Sequence, residues 1–235
     1  MADAVIEALS SLSGAIRSMA MATFARMYSG TEGGEDVLRY MGQTGLDAHK
    51  GADILRSAVD TYASTVTYPV GNPIAASLRG VAQVKLADLG TRVFYTAHGS
   101  FDTHASHLPM HAKLWQEIDG AIHAFFQDLR AHHAADDLIM LVWTEFGRRV
   151  QENGSGTDHG AGGVAFVIGK HVRGGMYGTY PSLRPERLTQ QREGMFGNLR
   201  YSYDFRGLYS TIVERWFGLD GPTIVGGQFE PLDFL

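Results

Sequence analysis

The chain has 235 residues, 44% hydrophobic and 19% charged, which is the balance of a globular protein with length for a substantial core. A net charge of -5, a pI near 6.0 and the lack of any basic run exclude the electrostatic footprint of a nucleic-acid or anionic-membrane binder. There is no cysteine, so disulfides, thiolate ligands and a cysteine nucleophile are excluded, and any metal must be held by oxygen and imidazole.

Val5, Ile6, Leu9, Leu12, Ile16, Met19 and Phe24 recur near helical spacing and predict an amphipathic helix over residues 3–28, with Asp3 as its cap. Gly30-Thr31-Glu32-Gly33-Gly34 ends it. Two further helices are expected over 35–41 and 46–64. Tyr68-Pro69 and Asn72-Pro73 interrupt the pattern, and Pro73 starts a helix running to Leu89. Arg92-Val93-Phe94-Tyr95-Thr96 reads as a short strand closed by Gly99. Residues 108–133 read as a helix with Leu114, Ile118, Ile122, Phe125, Phe126 and Leu129 on one face. Leu138–Trp143 and Gly163–Ile168 are nearly continuous apolar runs, the signature of strands buried on both faces of a parallel sheet. Strand, helix and strand at this spacing predict a βαβ unit. Tyr203–Phe217 closes the chain as a helix ended by Gly218.

The expectation is therefore one α/β domain over 1–235, helical over 1–90 and α/β over 91–235, with the front helices covering the sheet. No apolar run approaches the roughly 20 residues of a membrane span. No basic segment followed by an apolar stretch marks a secretory leader.

Residues of metal-binding type gather beside the predicted strands. His98-Gly99-Ser100-Phe101-Asp102-Thr103-His104 follows the first, Thr144-Glu145-Phe146-Gly147-Arg148 follows the second, and Gly156-Thr157-Asp158-His159-Gly160 precedes the third. Ligands of open α/β sheets bind beyond the carboxyl ends of strands, so Asp102, His104 and Glu145 should converge, with a glycine-rich loop folding Asp158 and His159 back onto them. Adjacent carboxylates call for a cation, and imidazole with carboxylate suits a divalent ion, zinc first. Each residue has a plainer reading as well. Asp102 suits a turn or cap, Glu145 an exposed acid after a strand, and Asp158-His159 a turn. Arg148 beside such a site suits an anionic ester, as a catalytic residue that steadies developing negative charge, or equally a salt bridge to a nearby acid. Asn153 is a candidate for orienting a ligand or the loop. Thr103 and Thr144 are hydroxyls without an obvious adjacent base, so no nucleophile is assigned. There is no Gly-x-Ser-x-Gly elbow, P-loop or His-Glu-x-x-His.

Phe101–His104, Thr144–Arg148, Glu152-Asn153, Gly156–Gly160, Gly174-Gly175 before Tyr177-Gly178 and Pro181, Asp204-Phe205-Arg206 and Phe229-Glu230-Pro231 resemble, in this order, the bacterial family called domain of unknown function 1501. The resemblance covers about residues 68–235. It implies a sulfatase-like member of the alkaline phosphatase superfamily: an α/β/α sandwich with a metal site of one or two ions at the sheet edge. On that resemblance Asp102, His104 and His159 serve one ion, Glu145 the other, Asp158 is a further candidate ligand, and a small phosphate or sulfate ester is the substrate. Members of the family are longer and carry an export signal and an N-terminal strand with an acidic ligand. This implies a periplasmic or extracellular setting, and a chain that is a fragment, a truncation or half of a split protein, completed by a missing N-terminal half or by a second copy of itself. The alternative expectation is a non-catalytic metal-binding or partner subunit.

Overall fold

In the computed structural model of the protein, the described residues are 16, 18–20, 22, 23, 26, 36–189 and 197–235. They form a mixed α/β architecture, mostly helical, with two small antiparallel sheets. The helices are α1 (Asp36–Thr61), α2 (Pro73–Leu86), α3 (His107–Ala131), α4 (Phe205–Arg215) and α5 (Gly221–Val225). The strands are β1 (Ile139–Val142), β2 (Gly147–Glu152), β3 (Thr157–Gly160) and β4 (Phe166–Gly169). The chain divides into two compact units, Met1–Ala63 with Gln83–Arg92, and Ser64–Ala82 with Val93–Leu235. No helix among the described residues is long and apolar enough to cross a membrane.

The first unit holds α1. The helix expected over 3–28 lies largely outside the described residues, and those described within it are helical. The two helices expected over 35–41 and 46–64 are one. Gly42 and Gly45 each cost a helix about 1 kcal/mol relative to alanine, which weakens it without breaking it. Across the same stretch Thr44 Oγ1 donates to Tyr40 O at 2.8 Å and Gln43 Nε2 to Asp47 Oδ1 at 2.9 Å.

In the second unit, Asn72 starts α2. Its Oδ1 accepts from the amides of Ile74 and Ala75, while its Nδ2 donates to Glu117 O of α3 at 2.7 Å. One side chain therefore caps one helix and fastens it to another. Ile74, Ala75, Leu78 and Ala82 of α2 are buried, as are Leu114, Ala121, Ala124, Phe125, Phe126 and Leu129 of α3. Their i, i+3, i+4 spacing is the periodicity that made α3 legible.

The sheets depart from expectation. Residues 92–96 are not a strand, and Val93 and Tyr95 are 71% and 76% exposed. A strand needs a paired neighbour strand, and the pairings among the described residues do not include this run. Leu138–Trp143 and Gly163–Ile168 do supply strands, β1 and β4, but these pair antiparallel, with Ile139 opposite Gly169 and Val142 opposite Phe166. No βαβ unit forms among the described residues. Parallel pairing requires a long crossover, whereas here the β2–β3 hairpin simply returns the chain, so β4 runs back along β1. The small sheet is only partly buried, and Phe166 is exposed.

The closing helix forms as expected. Asp204 caps α4, accepting from the Arg206 amide at 2.9 Å and from the Arg206 guanidinium at 2.9 and 2.7 Å. Arg206 holds the Asp204 carboxyl down from 3.8 to about 2. The C-terminal segment then crosses α4 closely. A Cβ on Gly207 would meet Glu230 O at 2.3 Å, and the Leu232 amide donates to Thr211 Oγ1 at 2.9 Å. Leu232 and Phe234 are buried there.

Candidate metal centre

Two chain segments of the second unit build the site. The first is the irregular stretch before α3, which carries Asp102 and His104. It is bracketed by Ser100 and Ser106, both at positive φ, 71° and 51°. That conformation costs a non-glycine residue about 1–2 kcal/mol, so the surrounding contacts must hold it. The second is the β2–β3 hairpin, which carries Asp158 and His159 on β3. The glycine-rich stretch forms the turn and second strand of this hairpin, and His159 meets Asp102 there rather than at the carboxyl edge of a parallel sheet.

Glycines let the segments meet. Gly147 and Gly160 face each other across the hairpin. A Cβ on Gly147 would lie 1.8 Å from Gly162 O, and one on Gly160 2.6 Å from the Arg148 carbonyl. A Cβ on Gly156 would lie 2.8 Å from His104 O. Each of these is a position of close backbone approach, the strand role of glycine without a special φ. The His107 amide also donates to Ser155 O at 3.2 Å, joining the start of α3 to the hairpin turn.

The result is a compact donor set. Asp102, His104 and His159 each offer one ligand atom, and these atoms all lie within 4.8 Å of one another. His159 Nε2 lies 2.6 Å and His104 Nε2 3.0 Å from the same Asp102 Oδ1. The rings of His104 and His159 stack at 4.9 Å, and the His159 ring stacks on Phe146 at 3.8 Å with planes 8° apart. The hydrogen bond from His159, followed by the nearby His104, holds the Asp102 carboxyl below its usual range, in the charged form a metal requires.

The donor chemistry fits a zinc-class ion. Two imidazoles and one carboxylate are a known catalytic ligand set, and bonds near 2.0–2.1 Å put tetrahedral ligand atoms roughly 3.3 Å apart. The two spacings to Asp102 Oδ1, 2.6 and 3.0 Å, lie a little under that value, and the whole set stays within 4.8 Å. All three side chains are 40–66% exposed, which leaves room for a further ligand from solvent.

The other residues singled out from sequence fall around this group. Asp158 Oδ1 sits 3.5 Å from His104 Nδ1, the ring nitrogen turned away from Asp102, and accepts from Asn153 Nδ2 at 3.0 Å. The Asn153 bond lowers the Asp158 carboxyl below its usual range. A carboxylate behind a ligating imidazole fixes its tautomer and orientation. Asn153 Oδ1 also accepts from the Gly156 amide, so it orders the hairpin turn, one of the two roles it suggested. Glu145 is exposed in the β1–β2 connection and is not part of the three-residue group. Arg148 donates to Phe101 O, Thr103 Oγ1 and Thr157 O.

Sequence reasoning missed two features. Thr103 is buried and has an imidazole neighbour, with its Oγ1 2.9 Å and its carbonyl O 3.2 Å from His107 Nδ1. Their i, i+4 separation across a helix start was the available signal. Phe146, which stacks on His159, had none, because its partner lies across the hairpin.

The family model described as "Protein of unknown function (DUF1501)" matches residues 33–223. The chain belongs to this family. The match contains every residue of the donor set and the whole hairpin that presents it. No curated protein and no solved structure matches the chain.

Proposed function

We propose that the protein is a divalent-metal-dependent hydrolase of phosphate or sulfate esters, with Asp102, His104 and His159 as the ligands of a zinc-class ion. The observation that carries the reading is the convergence of these three groups from separate segments. When bound, such an ion acts as a Lewis acid toward an ester oxygen. Asp102 supplies a negative charge that offsets part of the ion's charge, and the two imidazoles supply neutral donors. Asp158, steadied by Asn153, orients His104. Exposure of the group admits a small anionic ester from solvent. Glu145 is assigned to a second ion on the family resemblance alone. The same reading takes an alkaline-phosphatase-like sandwich as the complete architecture.

A second reading, a metal-binding partner subunit without turnover, is favoured by one observation. A single donor group gathers among the described residues where a two-ion hydrolase needs two.

Zinc-loaded protein assayed with p-nitrophenyl phosphate and p-nitrophenyl sulfate separates these. The hydrolase reading expects release of nitrophenolate that chelator-stripped protein and His159→Ala do not show. Tight zinc with no turnover of either ester would select the subunit reading. Protein that takes up no zinc would reject both.

A further inference from the structure

Arg148 lies directly opposite His159 in the β2–β3 register. Its Nη2 donates to Phe101 O at 2.6 Å and to Thr103 Oγ1 at 3.3 Å, and its Nη1 to Thr157 O at 2.5 Å. The first two acceptors flank Asp102. The third lies two residues before His159. One planar cation therefore joins both chain segments that contribute ligands. The guanidinium carbon also sits 5.2 Å from the centre of the Phe146 ring, whose stacking partner is His159. Both terminal nitrogens thus face protein acceptors.

We propose that Arg148 is a positioning residue that fastens the Phe101–His104 segment to the hairpin and so sets the distance from Asp102 to His159. The clamp itself rests on hydrogen-bond geometry; its service to a metal rests on the reading given above. A rigid fork is what the arrangement requires. Lysine concentrates its charge on one nitrogen and cannot hold two separated acceptor sets in one plane. Arg149, its neighbour on β2, donates from Nε to His159 O at 3.0 Å and so acts on the hairpin, while the His107 amide to Ser155 O bond joins the start of α3 to the hairpin turn without holding Phe101 or Thr103.

The test compares wild type, Arg148→Ala, Arg148→Lys and Arg173→Ala in the full chain. Arg173 makes bonds of the same kind to Asp233 and Leu235, away from the site, and controls for a general loss of charged contacts. In metal-free protein, hydrogen exchange should accelerate about tenfold or more over residues 101–104 in Arg148→Ala, with α3 protection kept. Zinc affinity should fall about 10- to 100-fold, the usual cost of losing a residue that supports a ligand. Cobalt(II) in place of zinc should show shifted visible bands. Arg148→Lys should restore neither affinity nor bands, and Arg173→Ala should match wild type throughout. If Arg148→Ala does not fold, Arg148→Gln supplies the same readouts. Wild-type exchange over 101–104 in the Arg148 variants would overturn the clamp. Accelerated exchange in a protein whose wild type takes up no zinc would uphold the clamp and overturn the metal reading.

Discussion

Asp102→Ala is expected to weaken zinc binding by at least about a hundredfold while leaving the fold intact. Asp102 Oδ1 is the atom to which both imidazoles point, at 2.6 and 3.0 Å. It is also the sole carboxylate of the three-residue group. Loss of a residue that merely supports a ligand costs about 10- to 100-fold in affinity, so loss of the anionic ligand itself should cost more. Its side chain is 66% exposed, and exposed substitutions generally change stability by no more than about 0.5 kcal/mol. Competition against a chromophoric chelator gives the affinity, and thermal unfolding gives the control. Asp102→Asn sharpens the result. It preserves shape and removes charge, and should bind nearly as poorly. An Asp102→Ala protein with wild-type affinity would remove Asp102 from the site.

Asp128→Ala is expected to lower stability by about 3 kcal/mol, through a mechanism unconnected with metal. Asp128 is fully buried in α3. Its Oδ2 accepts from the buried Tyr68 hydroxyl at 3.0 Å, and its Oδ1 from the Thr65 amide at 3.2 Å and the Thr65 hydroxyl at 3.4 Å. His132 Nε2 stands 3.6 Å away. Alanine removes the acceptor of the buried Tyr68 hydroxyl and the partner of the exposed Thr65, and a buried donor left unsatisfied costs about 1–3 kcal/mol. For a chain of this size that is a fall in melting temperature of roughly 6–12 °C. Tyr68→Phe removes one partner and should cost about half as much. Zinc affinity should be unchanged in both at temperatures where they stay folded. An Asp128→Ala protein melting with wild type would show that the carboxylate contributes no net stability.

The contrast between these two aspartates shows what the sequence could disclose. Asp102 was legible because Asp-x-His and Asp-His are ligand-type pairs set beside apolar runs. Asp128 was not, because an acid within a helical sequence reads as solvated surface. Only the packing of residues 65–68 against α3 reveals it as a buried acceptor. The helices behave the same way. α3 was readable from periodicity and the end of α4 from Gly218, since those signals are local. The break expected between residues 41 and 46 failed because glycine lowers helix stability only modestly, and continuity across it is decided by neighbours. Strand pairing is not local at all. Apolar runs at 138–143 and 163–168 announced β1 and β4, but their antiparallel sense depended on a hairpin whose glycines read as a loop and not as a paired strand. Arg148 shows the limit for function. Its place three residues after Glu145 suggested an anionic ester or a nearby acid, while its bond to Phe101 O, 47 residues away, has no local signal.

X-ray absorption at the zinc edge of zinc-loaded wild-type protein tests the central claim most directly. A centre formed by Asp102, His104 and His159 gives a nitrogen and oxygen shell at about 2.0–2.1 Å with outer scattering from two imidazoles. One imidazole contribution should disappear in His104→Ala and one in His159→Ala. A shell of oxygen alone, or imidazole scattering that persists unchanged in both variants, would contradict the account.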